Sequence, residues 1–441
     1  MLDSRRTRRI LLLGMPIVFG MISQNVLNLV DTAMVGMLGD IALAAVGLGS
    51  FTNFMAVAFI QGLSTGVQAI AARRKGEGRL EDAAIPLNGA LVVAVLVSVP
   101  LSALFYYTAP DLFAWLTEDR AVSEVGTEYF QIRVLGMLAI GINFSFRGFL
   151  NGVDLTALYM RTLILMHATN IFLNWVFIFG NLGFPEMGAP GAGLASAIAL
   201  YCGSLYYLFL GLKHGTDKGF LRSWCDRETL VRLLRLSIPN GLQIFLFATG
   251  LVVLFWIIGR VGTDATAAAT VLINVMLVAI LPGIAFGLAS LSLVGQAMGR
   301  GEADDAYQWA WDVSKVASLV LGTLGLVMVL FPVPILRGFL HTPATLELAR
   351  VPLILFGIGI VFDGVGSVLM QSLLGAGAAL PVMMVSIGLQ WGIFLPGAFL
   401  VGPTLGFGLT GIWALQAFYR CLQAIVFSIL WRRRGWMSIR V

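Results

Sequence analysis

The chain has 441 residues, of which 58% are hydrophobic and only 12% are charged, and its mean hydropathy is +0.90. Water-soluble domains carry roughly 25% charged residues, so the composition excludes an ordinary soluble fold and indicates a protein that lies in lipid. The net charge of +5 does not indicate a nucleic-acid-binding protein, because the basic residues form short clusters between apolar runs.

The apolar runs predict an all-α membrane protein with twelve transmembrane helices, since a run of about 20 residues crosses a hydrocarbon layer of roughly 30 Å. The basic start of the chain resembles a secretory signal. Its apolar run nevertheless continues to about Met37 without a cleavage site, so we interpret it as the first helix. In chain order, the predicted helices cover residues 10–37, 41–72, 83–108, 121–148, 158–180, 191–213, 229–259, 264–298, 306–331, 346–374, 380–401 and 408–431.

The basic residues predict the orientation of the chain. Most of the 28 lysines and arginines fall in segments on the same side as the N-terminus, including the cluster Arg432–Arg434. By the positive-inside rule both termini are cytoplasmic. We therefore expect a multi-pass protein of the bacterial inner membrane.

An internal repeat is the most informative signal. Three residues of the first half recur in the second half at one constant distance along the chain: Pro16 matches Pro239, Gly36 matches Gly259, and Gly39 matches Gly262. Two further matches, Gly76 with Gly301 and Gly188 with Gly406, require slightly different spacings. The ordered series predicts two copies of one unit.

The repeat predicts two pseudo-symmetric lobes of six helices each, residues 1–213 and 229–441. The polar segment 214–228 is expected to be the cytoplasmic linker between them. Because both copies start on the same side, the pseudo-two-fold axis lies along the membrane normal.

Two acids lie well inside predicted helices, where charge is expensive and therefore suggests function, whereas the other acids fall in loops or near helix ends. Asp31 lies in the first helix, together with Gln24 and Asn28 at helical spacing. Asp363 lies in the tenth helix, where Ser367 and Gln371 continue its polar face. We predict that this second set belongs to a substrate site or a polar site of the second lobe.

The fifth helix carries a further polar stripe, His167, Asn170 and Asn174, and the sixth carries Ser196. If these helices pack against the first, Asp31 meets two amide groups and a hydroxyl. Such oxygen ligands suit a hard cation, and one carboxylate suits a monovalent one. We therefore predict a cation or proton site at these residues, with Na⁺ held by Asp31, Asn170 and Asn174.

Simpler interpretations stay open. Amide and hydroxyl groups of membrane helices often only join helices by hydrogen bonds, and Asp363 is open to the same interpretation. Gln24, Asn28 and His167 are predicted, like the Asp363 set, to belong to a substrate or polar site. His167 itself is either a hydrogen-bonded interior histidine or a proton relay.

Several segments together resemble the multidrug and toxic compound extrusion (MATE) family along essentially the whole chain: MPIVFGMISQNVLNLVDTAMVGMLG, GEGRLEDA, NIFLN, GAGLASA and VFDGVGSVLMQSLLGAG. The resemblance implies a V-shaped twelve-helix fold, alternating access, and export of cationic drugs or other organic compounds in exchange for Na⁺ or H⁺.

The first-lobe cation site of that family resembles Asp31, Asn170, Asn174 and Ser196. Some members have Asp where this chain has Asn174, and many have Thr in place of Ser196. The glutamate that Na⁺-driven members often carry in the seventh helix is absent, and the Asp363 segment looks more like the DNA-damage-inducible branch.

The expected function is therefore secondary active multidrug efflux, without enzymatic activity and with no cofactor beyond the coupling ion. An alternative is a lipid or lipid-linked oligosaccharide flippase, which would need several cavity cations, and only Arg133 and Arg420 are candidates. A less favoured alternative is an intramembrane enzyme, for which His167 is the only intramembrane histidine. The chain has no phosphate-binding Gly-Lys-Ser/Thr loop. We expect a monomer that handles small organic molecules without an ATPase partner.

Overall fold

The computed structural model describes residues 3–340 and 342–439, nearly all of them helical. Short 3₁₀ turns join some helices, and wider π-type turns at Gln390–Phe394 and Leu400–Thr404 flank α15. The helices are α1 (Ser4–Gly36), α2 (Asp40–Gly76), α3 (Ile85–Leu116), α4 (Arg120–Val134), α5 (Met137–Gly152), α6 (Thr156–Phe179), α7 (Gly188–His214), α8 (Arg227–Gly259), α9 (Thr263–Ala279), α10 (Leu281–Gly299), α11 (Ala303–Leu330), α12 (Pro332–Arg337), α13 (Pro343–Gly375), α14 (Ala379–Leu389), α15 (Leu395–Phe399) and α16 (Gly408–Arg432).

The described part of the chain contains 11 helical spans long and apolar enough to cross a membrane, or 12 if the bent pair α4 and α5 counts as one. The all-α membrane fold predicted from the sequence is confirmed. The hydropathy pattern predicted one helix over residues 264–298. In the structure this span consists of two helices, α9 and α10, which are separated by a break at Ile280.

The predicted fourth helix, 121–148, differs from the structure because it is two helices that meet at 48°. At the junction, a Cβ on Gly136 would lie 3.2 Å from the carbonyl oxygen of Arg133 and 3.2 Å from Leu200. Glycine therefore permits the close turn here. The bend leaves Arg133 in the last turn of α4.

The repeat reappears as matching backbone conformations. Gly39 precedes α2 with a φ of 103°, and its repeat partner Gly262 precedes α9 with a φ of 152°. No atom lies within 4 Å of a Cβ placed at either glycine, so the positive φ, and not crowding, explains them. Gly78 and Gly301 follow α2 and α10 with φ of 77° and 76°.

The structure corrects two of the sequence matches. Gly301 is the counterpart of Gly78, and not of Gly76, which restores the constant spacing of the first matches. Likewise the first residue of α7, Gly188, corresponds to the first residue of α16, Gly408, because both have a φ of 59°. Gly406 was matched from sequence identity alone, which cannot tell two nearby glycines apart.

Close helix contacts repeat in the same way. A Cβ on Gly152 of α5 would lie 2.9 Å from the carbonyl oxygen of Gln68 on α2. A Cβ on Gly375 of α13 would collide with the carbonyl oxygen of Leu291 on α10. In both halves a glycine at the end of a helix lets two backbones approach closely.

The chain packs into two compact units. The first unit is Phe19–Gly241, and the second unit consists of the chain up to Val18 together with the chain from Leu242 onward. Both boundaries lie inside helices, in α1 and α8, directly after Pro16 and Pro239. The lobes 1–213 and 229–441 therefore stay a prediction from the repeat, and the packing units divide the chain at other positions.

The first turns of α1 are anchored inside the second unit. Arg6 forms ion pairs of 2.9 Å with Asp305 and 2.8 Å with Asp312, and its guanidinium lies 4.0 Å from the ring centre of Trp309. Arg9 donates a 2.6 Å hydrogen bond to Gln296. This amino-terminal end of α1 is thus held by α10 and α11.

The first turns of α8 are anchored inside the first unit. Thr65 of α2 donates a 2.9 Å hydrogen bond to Asn240, and Arg74 donates a 2.7 Å hydrogen bond to Thr229. A Cβ on Gly62 would collide with the carbonyl oxygen of Ser237. Glycine therefore allows α2 and α8 to pack backbone to backbone.

The segment 214–228, predicted as a linker, is packed on the first unit and is not free. Asn88 of α3 donates 2.9 Å and 2.8 Å hydrogen bonds to the carbonyl oxygens of Gly219 and Ser223. Phe220 is fully buried, with its ring 5.5 Å from that of Phe146. The connection is fixed by an amide clamp and an aromatic contact.

We predict that Gly375→Ala destabilises the protein by about 1 to 3 kcal/mol, the usual cost of overpacking, because the new methyl group meets backbone and not a movable side chain. The measurement is the thermal unfolding midpoint in detergent.

The matched control is Gly388→Ala. Gly388 is an exposed residue of α14 with no atom within 4 Å of its Cβ position, and alanine is the better helix former by about 1 kcal/mol. Its midpoint should stay the same or rise. An equal fall for both variants would contradict the close contact of α13 with α10.

Candidate cation site and family

The predicted cation-site residues meet in the first unit. Asn174 of α6 donates a 2.6 Å hydrogen bond to Asp31 of α1 and a 2.9 Å bond to Asn170 one turn earlier. Asn170 in turn donates a 3.0 Å bond to the hydroxyl of Ser196 on α7. The four residues form one continuous chain, which we call the Asp31 chain, across three helices.

The Asp31 chain runs from a half-buried carboxylate into the interior. Asp31 is partly exposed, whereas Asn170 and Asn174 have exposed fractions of 3% and 0%. Buried amides in a helix interior need partners, and each amide here finds one in the next residue. Asn170 and Asn174 lie on a common face of α6, as their helical spacing predicted, and both take part in this network.

One oxygen of the Asp31 chain has no partner. The side-chain oxygen of Asn174 is buried without a hydrogen bond, while its nitrogen serves both Asp31 and Asn170. Half a turn of that amide would bring three oxygens together, from Asp31, Asn170 and Asn174. The donor set therefore fits a monovalent hard cation, which prefers oxygen ligands.

In the described residues, no group of three or more histidines, cysteines or acids could hold a metal ion. The Asp31 chain offers amide and hydroxyl oxygens beside a single carboxylate.

Arg133 is the positive charge that acts on Asp31 from α4. Its Nε is buried without a hydrogen-bond partner, and no ion pair within 4 Å joins it to Asp31 in residues 3–340 and 342–439. The sequence showed Arg133 as a charge inside a helix. Which acid it lies near depends on how α4 packs, which spacing along one helix does not determine.

His167 belongs to a second chain of polar residues. Its Nε2 lies 3.0 Å from the side-chain oxygen of Gln24, and its Nδ1 lies 3.0 Å from the hydroxyl of Ser23. Gln24 also donates a 3.1 Å bond to Asn28. A neutral imidazole with its proton on Nε2 donates to Gln24. The single hydroxyl proton of Ser23 is shared between Nδ1 and the carbonyl oxygen of Gly20, which lies 2.8 Å away. Sequence analysis missed Ser23, whose only signal was its place beside Gln24.

The three predicted polar residues of α13 do not form one site. Asp363 forms a 3.0 Å ion pair with Arg420 of α16. Gln371 packs instead on Gly287 of α10, and its side-chain oxygen is buried without a partner. Ser367, between them, is half-buried. Spacing by four residues drifts around the helix, so the three side chains diverge toward different neighbours.

A known protein family matches both halves of the chain. The MatE family model matches residues 16–176 and 239–400, one stretch in each half of the chain. The "Probable multidrug resistance protein NorM" of Mesorhizobium japonicum is 27% identical over 97% of this chain and 94% of that protein. The protein of the same name from Thermotoga maritima is 25% identical over 92% and 88%. A Bacillus subtilis protein described as "Uncharacterized transporter YisQ" is 25% identical over 92% and 90%.

Solved structures show the same fold. One is described as the outward-facing conformation of a multidrug resistance MATE family transporter of the MOP superfamily. It superposes with a TM-score of 0.92 at 23% identity, over 99% of this chain and 97% of that chain. A MATE structure described as the straight conformation gives 0.90 at 24% identity, over 97% and 96%.

The family match covers most of the chain, starts at Pro16 and again at its repeat partner Pro239, and confirms the resemblance seen in the sequence motifs. The chain belongs to the MatE family of multidrug and toxic compound extrusion transporters.

Proposed function

We propose that this protein is a secondary active multidrug efflux transporter, which exchanges organic and often cationic compounds for Na⁺ or H⁺. The observation that carries the proposal is the Asp31 chain, a single carboxylate joined to buried amides inside a membrane helix. The names of the relatives as multidrug resistance proteins support the same activity.

The exchange follows from differential occupancy. A coupling cation drives transport only if it binds more tightly in one facing state than in the other. Asp31 is charge-compensated when the cation is bound, and its release leaves the carboxylate with the Asn174 nitrogen. An organic cation entering the same unit then restores the charge balance. Cation and substrate thus alternate at one carboxylate.

Na⁺ is the proposed coupling ion. A proton needs only the carboxylate, whereas the unpartnered oxygen of Asn174 adds a ligand that only a coordinated cation uses. The assignment to the DNA-damage-inducible branch stays a prediction from the Asp363 segment.

The same considerations define where the protein works. It is proposed to be a monomer of the bacterial inner membrane with both termini in the cytoplasm, acting without an ATPase. The flippase alternative is less favoured because Asp363 neutralises Arg420, which removes one of its two candidate cavity cations. The enzyme alternative lacks support because both ring nitrogens of His167 are already engaged.

Asp31→Asn should abolish coupled export while the protein still inserts and folds. The amide keeps the size of the side chain but cannot exchange a charge, and removing a charge costing about 2.5 to 3.5 kcal/mol in a helix centre does not impair insertion. The measurement is drug efflux from proteoliposomes under a Na⁺ gradient and, separately, a pH gradient.

The control for this experiment is Thr32→Ala, which should retain coupling, because the Thr32 hydroxyl only donates a 2.8 Å hydrogen bond to the backbone of α1. Normally inserted Asp31→Asn protein with unchanged efflux would remove Asp31 from the mechanism. Efflux driven equally well by a pH gradient without Na⁺ would replace Na⁺ by H⁺ as the coupling ion.

Asn174→Asp should shift coupling from Na⁺ toward H⁺. The replaced nitrogen lies 2.6 Å from Asp31, and two carboxylates at that distance share a proton because they cannot both stay charged. Efflux in a pH gradient should rise relative to efflux in a Na⁺ gradient. An unchanged ratio of the two rates would show that Asn174 does not face the coupling ion.

Cys225 tests the orientation. It lies in the segment before α8, half-buried against Gly89, and burial raises the pKa of its thiol. Because the thiolate is the reactive form, labelling should speed up as the pH rises.

An impermeant thiol reagent should label Cys225 in inverted vesicles and not in intact cells, with Cys225→Ser as the control for the other two cysteines. Labelling of Cys225 in intact cells would place this segment outside and reverse the proposed topology.

A further inference from the structure

The second unit contains a buried ion pair that the proposed exchange does not use. Asp363 of α13 and Arg420 of α16 lie 3.0 Å apart, and their side chains are only 6% and 15% exposed. A charge inside a membrane helix needs compensation, and each of these charges compensates the other.

The two helices are shaped to bring this pair together. One turn before Asp363, Gly359 lies against Ala417, with 3.6 Å between its Cβ position and the alanine methyl group. On the other side, Gly366 lies against Ala424 at 3.5 Å. Small residues thus flank the pair on both sides and let the backbones approach closely.

Further contacts hold the guanidinium of Arg420 in place. It donates a 3.1 Å hydrogen bond to Gln423 one turn later, and it lies 5.2 Å from the ring centre of Tyr419. Both contacts come from α16 itself. Arg420 is therefore held in place by its own helix as well as by Asp363.

The acid of the first unit is in a different state. Asp31 accepts a hydrogen bond from a neutral amide, and in the described residues it forms no ion pair. The charge of Arg133 acts on it only from a distance. One membrane carboxylate thus lacks a bonded countercharge, and the other has one attached to the chain.

We propose that Arg420 is a built-in counter-cation that occupies the position of an exchangeable ion at Asp363. The second unit then binds no coupling cation, and each transport cycle uses the single cation site at Asp31. This inference rests on the proposed cation-coupled export.

The physical reason is competition. A guanidinium tethered 3.0 Å from the carboxylate has already lost its translational freedom, so a free ion competes against a very high effective concentration. A free ion that displaced it would leave a buried arginine without a partner, which is strongly unfavourable. Asp363 is therefore closed to Na⁺.

A small cavity lies beside the ion pair, and a shorter side chain in place of Arg420 would enlarge it. A cavity of about 20 Å³ next to Arg420 is also lined by Gln390, Trp413, Gln416 and Tyr419, and has room for about one water molecule. The Trp413 indole N–H and the Gln416 oxygen are buried without partners. A shorter, neutral side chain at position 420 would extend this polar cavity toward Asp363.

The test is a double-mutant cycle on efflux from proteoliposomes. Asp363→Asn should lower export about tenfold or more, because it leaves the charge of Arg420 buried and unpaired. The double variant Asp363→Asn with Arg420→Gln has no charge to compensate, and its export should return to within about threefold of the unmodified protein. If Asp363 exchanged cations, the double variant would stay as inactive as Asp363→Asn, and the proposal would be overturned.

The first unit supplies the matched control. Asp31→Asn combined with Arg133→Gln also removes one negative and one positive charge, but export should not return, because Asp31 is needed for exchange and not only for pairing. Restored export in this control would show that Asp31 too is merely a partner of a fixed charge. That result would contradict the proposed exchange at Asp31. The export of the Asp363 and Arg420 variants would still decide whether Arg420 is the counter-cation of Asp363.

Binding of radioactive ²²Na⁺ to the purified protein gives a second measurement. Asp31→Asn protein should bind no Na⁺, because Arg420 fills the remaining site. Binding by Asp31→Asn that disappears in Asp31→Asn with Asp363→Asn would show that Asp363 accepts Na⁺ beside Arg420, and would refute the proposal.

Discussion

A carboxylate inside a lipid bilayer needs a proton, a mobile cation or a fixed positive charge, and much of the local structure follows from how this need is met. At Asp31 the neighbours are neutral amides on α6, and under the proposed exchange the charge balance there changes during transport. At Asp363 the neighbour is an arginine, which we propose keeps the balance constant. The same requirement is thus met by neutral ligands in one unit and by an ion pair in the other.

The sequence predicted the helices from periodicity. It grouped the residues of the Asp31 chain only on the condition that α1, α6 and α7 pack together, and from the family resemblance. His167, Asn170 and Asn174 share a face at any packing angle, and Ser196 lies at the depth where α7 meets α6. Pairings between distant helices were not predictable. Arg420 and Asp363 were both recognised as unusual, but their contact depends on how α13 packs against α16, which spacing within one helix does not determine.

The backbone conformations of the glycines reveal the internal repeat more clearly than their positions in the sequence do. Sequence identity alone misaligned Gly76 with Gly301, whereas backbone conformation pairs Gly78 with Gly301 through nearly equal φ angles. The reason is that a positive φ constrains the residue at one position of a turn, while neighbouring glycines are free to vary. The repeat is therefore clearer in the turns after the helices than in the amino-acid matches.

The anchoring of α1 also has a consequence for biosynthesis. The turns around Arg6 are made some three hundred residues before the acids that pair with them, Asp305 and Asp312. The second unit therefore completes its packing around a segment that is synthesised well before the rest of the unit. The first unit, in turn, is complete only after the amino-terminal turns of α8 around Asn240 have been synthesised. If the chain were divided within the segment 214–228, each fragment would carry residues that belong to the packing unit of the other fragment. Neither packing unit would then be complete until the two fragments associated in the membrane.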